Sequence, residues 1–198
     1  MTLRFHCPSF ALLKRKLLFL PGACLAAAGI LSATGAMLPP PETHTQMEIS
    51  STAFKNGQPI PSQYTCDEKN ISPPLAWSGE PPNTQSLVLI VDDPDAPSGV
   101  WTHWVVFDLP ADACGLSADA AKTDSVLSKA RQGLNDFKNA GYDGPCPPGG
   151  KPHRYFFKIY ALDIPLGLPP GASRTAVEAA MTKHILAQGQ LMGTYQRK

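Results

Sequence analysis

The sequence lacks most features that mark the larger functional classes. Basic residues gather in no patch or stripe within the folded part, so it offers no electrostatic footprint for nucleic acid or for an anionic membrane surface. No cysteine and histidine spacing suits a structural zinc site. The glycine pattern followed by Lys-Ser/Thr that cradles nucleotide phosphates is missing, and so are internal repeats. Helical periodicity is scarce as well, and no cofactor is implied. These absences argue against nucleic-acid binding, nucleotide hydrolysis and zinc-dependent folding.

What is present begins with a leader. Arg4, Lys14, Arg15 and Lys16 precede an uncharged run from Leu17 to Leu38, the layout of a signal peptide. The run is long enough to span a bilayer, but Pro21, Gly22, Gly29 and Gly35 suit a processed leader better than an anchor. We read residues 1–35 as signal peptide, cleaved after Gly35 or Ala36, residues 36–46 as a polar, proline-rich linker, and residues 47–198 as one domain. A lipoprotein site at Cys24 is opposed by Pro21. Membrane contact would follow only from an uncleaved leader, and every alternative exports the domain, to the periplasm or outside the cell. Losing four of the 17 basic residues against 16 acidic ones leaves a net charge of about −3.

The domain keeps three cysteines, Cys66, Cys114 and Cys146, which permit one internal disulfide at most. Connectivity is not readable from sequence; Cys66 with Cys146 is the pair chosen here.

Short apolar runs separated by Pro, Gly, Asn and Asp, namely "SLVLIVDD", "WTHWVVFDL" and "YFFKIYALD", predict an all-β, antiparallel Greek-key-type β-sandwich. A C-terminal helix is predicted over "TAVEAAMTKHILAQG". Thr175 and Glu178 would form a capping box, Val177, Met181 and Ile185 an apolar stripe, and Gly189 the closing residue. A second, looser helical segment is "SADAAKTDSVLSKA".

Alternation along the strands singles out polar residues. Leu87, Leu89 and Val91 share a face with Asp93; Trp101, Val105 and Phe107 share one with His103; Tyr155, Phe157 and Ile159 share one with His153. Each of these polar groups has a structural explanation alone, as a satisfied core histidine or a turn-initiating Asp-Pro-Asp. Together they enter from separate segments beside Pro/Gly-rich loops, which points to a pocket. Burying them without partners would cost about 1–3 kcal/mol each, so they must meet one another, water or a ligand. Histidine N–H and tyrosine O–H groups are donors, and an Asp93 carboxylate accepting from an imidazole would set its tautomer, so the expected guest is a small anion such as phosphate. In "GYDGPCPPGGKPH", Gly144, Gly149, Gly150 or Lys151 could add donors or charge near the mouth.

The motifs "YTCDEKNISPPLAW", "DDPDAPSG" with "WTHWVVFDLP", "GYDGPCPPGGKPHRYFFKIYALD" and "LMGTYQR" resemble the phosphatidylethanolamine-binding protein family, in its bacterial Raf kinase inhibitor-like branch. The resemblance runs from about Ile49 to Tyr195. It implies a β-sandwich whose small pocket binds phosphate or phosphorylated headgroups. Asp93, Asp95 and Pro97 match the family's Asp-Pro-Asp-x-Pro motif, His103 its Trp-x-His segment, His153 and Tyr155 its His-Arg-Tyr segment, and Pro147 its proline-rich loop. Glu68, Leu134 and Lys138 depart from the usual bacterial run, and Thr102 stands where eukaryotic members carry a second histidine.

The resulting expectation is an exported, non-catalytic binding protein for a small phosphorylated ligand or phospholipid headgroup. Binding should strengthen as the histidines protonate below about pH 6.5. The alternative is an inhibitor of a protease or kinase acting through a protein interface. Bacterial relatives imply a homodimer.

Overall fold

The computed structural model describes residues 45–120 and 129–197. Its elements are β1 (Thr45–Gln46), β2 (Glu48–Ser50), β3 (Leu75–Ser78), β4 (Ser86–Asp93), β5 (Trp101–Pro110), β6 (Gly115–Leu116), β7 (Arg131–Gln132), β8 (His153–Leu162), α1 (Arg174–Met181) and β9 (Ile185–Tyr195). Among the described residues the regular structure is mostly strand, as expected. The expected leader and most of the linker lie outside the described residues, as does the centre of the looser helical segment. Thr45 and Gln46, expected as linker, already belong to the sheet.

One sheet has the order β1-β9-β8-β4-β5-β7 and a smaller one the order β2-β3-β6. Pairing is antiparallel except at one edge, where β1 runs parallel to β9. The main core mixes residues of both sheets, among them Met47, Leu75 and Trp77 from the smaller sheet and its approach, with Leu89, Val91, Trp104 and Phe157 from the larger. A second cluster covers the other face of the large sheet, where Val88, Ile90, Val105 and Phe107 meet Val177 and Met181 of α1. Covered on both faces, β4 is buried along its whole length, which explains its unbroken apolar run. β8 shows the alternation of a strand with one better-covered face: Tyr155, Phe157 and Ile159 are fully buried, while Arg154 is exposed.

Strict alternation fails on β5. Val91 pairs with Trp104 but Asp92 with Thr102, so His103 is the extra residue of a β-bulge. The bulge turns His103 and Trp104 to the same side. Val105 and Phe107, expected beside His103, therefore lie in the helix-side cluster instead. The slip is reversed near Asp108, where φ is +55° and Leu109 returns to the main core.

The helix is shorter than predicted and is not C-terminal, since β9 follows it. Ser173, not Thr175, is the N-cap; its Oγ accepts from the Ala176 N–H at 3.2 Å. Val177 and Met181 are buried as the stripe predicts, whereas Ile185 opens β9 opposite Leu162. Lys183 turns the chain at φ +69°. Gly189 does not close a helix. It lies within β9 where a Cβ would come 2.2 Å from the Met47 carbonyl oxygen, so a close backbone approach requires glycine there.

Candidate functional site

β4 lies between β8 and β5, so the end of β4 sits beside the start of both neighbours. Asp93, His153 and His103 are thereby brought to one end of the sheet, around a cavity of about 280 Å³. The two aspartates of "DD" point to opposite faces. Asp92 is held on the helix side by Lys158 at 2.8 Å and Arg174 at 3.4 Å, while Asp93 lines the cavity.

Asp93 Oδ2 accepts from His153 Nδ1 at 2.8 Å, and its Oδ1 accepts the Asp95 backbone N–H at 2.8 Å. His153 is thus the imidazole that Asp93 holds, and His103 is tied elsewhere. Its Nδ1 donates to the Asp143 carbonyl oxygen at 2.6 Å, and its own carbonyl accepts the Asp143 N–H at 3.1 Å. A carbonyl can only accept, so Nδ1 carries the proton and the Nε2 of the neutral ring is a lone-pair acceptor. Burial pushes the His103 imidazole down from its ordinary value of 6.5, only partly offset by the Asp143 carbonyl and the Asp93 carboxylate.

Tyr155 packs edge-on against His103, with ring centroids 5.2 Å apart. Its hydroxyl is buried without a hydrogen bond, and burial together with the Asp93 carboxylate pushes its pKa far up. Tyr155 backs the site and is not among the lining residues. His153 starts the strand next to Asp93, and the loops supply the rest of the lining. Pro97, Pro147 and Pro148 line the cavity, with Trp101 and Phe137.

Two expected contact residues serve as scaffold. Asp95 lies outside the lining and is clamped by Arg154, at 2.8 Å from Nε and 2.7 Å from Nη2. This guanidinium holds the Asp95 carboxyl at about 2. Gly144 donates its N–H to Asn70 Oδ1 at 2.7 Å, so that donor is spent within the protein. Lys151, Gly149 and Gly150 do not line the cavity either.

Cys66 and Cys146 form a disulfide, the chosen pair, and Cys146 lines the cavity. Phe137, Trp101 and Asp143 escaped the sequence reading. Asn135 did too; its amide donates to Asp143 Oδ2 at 2.8 Å and to the Gly141 carbonyl at 3.1 Å. The signal that could have found Trp101 was the alternation that found His103, since the two share a face and both meet the Phe137 ring.

A family model described as phosphatidylethanolamine-binding protein matches residues 50–196. A UPF0098 protein of Aquifex aeolicus is 54% identical over 153 residues, covering 76% of this chain and 89% of that protein. One from Methanothermobacter thermautotrophicus is 51% identical over 151 residues, covering 76% and 99%. Among solved structures, the phosphatidylethanolamine-binding protein homolog CT736 of Chlamydia trachomatis superposes with a TM-score of 0.71 at 42% identity, covering 78% of this chain and 99% of that one. YbcL of E. coli gives a TM-score of 0.71 at 36% identity, covering 77% and 99%.

Proposed function

The chain belongs to the phosphatidylethanolamine-binding protein family, and we propose that it is an exported binding protein for a small, anionic, phosphorylated ligand. One observation carries this reading. His103 Nε2 and the Trp101 indole N–H are buried without a hydrogen-bond partner, on residues that line the same cavity as the Asp93–His153 pair. Unmade hydrogen bonds of this kind cost about 1–3 kcal/mol each, and a ligand that gives a hydroxyl hydrogen to Nε2 and an oxygen to the indole N–H recovers that cost. His153 commits Nδ1 to Asp93, which leaves Nε2 for the guest. As an imidazolium it would present a second N–H while the carboxylate serves as its counter-ion.

Catalysis is not part of the proposal. Ser98 lines the cavity but makes no hydrogen bond to either histidine, and the sulfur of Cys146 is taken up in the disulfide. Turnover of phosphoesters that His103→Ala abolishes would overturn this point. The binding reading is tested by calorimetric titration of phosphate and phosphoethanolamine into wild type and His153→Ala. Saturable binding lost in the variant supports it, and equal binding by both proteins overturns it.

A further inference from the structure

The cavity has an unusual charge balance for an anion site. Its lining residues are Asp93, Ala96–Ser98, Trp101, His103, Phe137, Cys146–Pro148 and His153, and these include no lysine or arginine. Asp93 is the one carboxylate. His103 presents a lone pair at Nε2, because the Asp143 carbonyl holds the ring proton on Nδ1. A doubly charged phosphate would meet one neutral donor, the Trp101 indole N–H, but also a carboxylate and a lone-pair acceptor, with no lysine or arginine to offset them.

We propose that the pocket selects phosphomonoesters in their singly protonated form, the ligand P–OH donating to His103 Nε2, and discriminates against phosphodiesters, the chemistry of an intact phospholipid headgroup. This rests on the anion-pocket reading above and narrows its ligand class. A monoester monoanion keeps one acidic P–OH and carries one negative charge; a diester carries the same charge and has no such hydrogen. With a diester, Nε2 stays unpaired unless the ring takes up a proton. Burial opposes that uptake.

The other charged or titratable groups facing His103 are Asp93 on β4, His153 and Tyr155 on β8, and Asp143 in the adjoining loop. Asp93 and Asp143 would favour a cationic ring, but Asp143 already accepts from Asn135 and Asn139 through Oδ2, and Asp93 from His153. Their acceptor capacity is thus directed away from His103, which leaves the ligand as the source of the proton.

The test compares methyl phosphate with dimethyl phosphate by calorimetry at about pH 5, below the second phosphate pKa of about 6, where both are monoanions. Methyl phosphate is expected to bind about tenfold tighter. Its affinity should then fall about tenfold for each pH unit above the second pKa as the monoanion disappears. His103→Phe, which removes the acceptor without adding a donor, should erase the preference between the two esters; the wild-type comparison stands by itself if that variant does not fold. Equal binding of the two esters by wild type overturns the selection for P–OH while leaving the anion pocket intact. Binding of neither overturns both.

Discussion

His153 Nδ1 lies 2.8 Å from Asp93 Oδ2, joining the first residue of β8 to the last residue of β4 where both strands reach the cavity. Coulomb's law alone says that removing the Asp93 charge should help an anion bind. The hydrogen bond says the opposite, because the carboxylate sets which nitrogen of His153 faces the guest. Asp93→Asn is therefore expected to weaken phosphate binding several-fold at about pH 6 in a calorimetric titration. Tighter binding by this variant would show that the orienting bond is unimportant.

His103 ties stability to pH. Its folded pKa is lowered from 6.5 by burial, so the unfolded chain takes up a proton that the folded chain refuses. The stability is complete above about 6.5 and is lost as pH falls from there toward the lowered folded value, with a slope of at most about 1.4 kcal/mol per pH unit. Urea midpoints for wild type should fall more steeply over this window than those of His103→Gln, since the variant lacks only this imidazole. Parallel curves would remove the assignment to His103.

Gly144 should be intolerant where its neighbour in the same loop is not. A Cβ at Gly144 would lie 2.2 Å from the Tyr64 carbonyl oxygen and 2.9 Å from Thr65 Cα, both backbone, whereas one at Gly149 would meet nothing within 4 Å. Gly144→Ala is expected to cost about 1–3 kcal/mol and to loosen the Asp143 carbonyl that holds His103. Gly149→Ala should stay within about 0.5 kcal/mol of wild type. Thermal melts of the two variants check the contrast, and equal melting temperatures would contradict it.

How far the sequence could be read follows from where each residue's role resides. β4, β5 and β8 were legible because long apolar or alternating runs define them, and their ends located Asp93, His103 and His153. β9 was misread at its start because Ile185 continues the helical stripe of Val177 and Met181. Only pairing with β8, a non-local event, makes it strand. Alternation from Trp101 puts His103 on the cavity side, but it could not show the bulge after it, which brings Trp104 to that side and sends Val105 and Phe107 to the other. Asp143 was invisible because its carbonyl, which any residue carries, is what holds His103. Asp95 was expected at the pocket, yet a short turn sends its carboxylate outward to Arg154.

Asp95 therefore separates scaffold from contact. Its pair with Arg154 is partly exposed, with side-chain exposures of 29% and 53%, so solvent screening limits its worth to about 0–1 kcal/mol. Since the Asp95 carboxyl is held at about 2, the contribution is complete above the ordinary value of 3.8 and disappears only as pH falls through about 2. Asp95→Asn should leave phosphate affinity at neutral pH within about twofold of wild type, measured by calorimetry. A loss comparable to that of His153→Ala would make Asp95 a direct ligand after all.

The Cys66–Cys146 disulfide joins segments 80 residues apart and places Cys146 in the cavity wall. Closing so long a loop in the unfolded chain contributes about 2–4 kcal/mol, yet the folded wall does not depend on the sulfurs alone. The Cys66 N–H donates to the Pro145 carbonyl at 3.1 Å, and the Gly144 N–H donates to the Asn70 side-chain Oδ1 at 2.7 Å, so hydrogen bonds hold the same two segments together. Replacing both cysteines by serine should lower the urea midpoint by an amount equivalent to about 2–4 kcal/mol. Phosphate affinity of the still-folded double variant should change by less than about threefold, because the hydrogen bonds that position Asp143 and His103 survive. A collapse of binding at full folding would mean that the disulfide itself shapes the pocket.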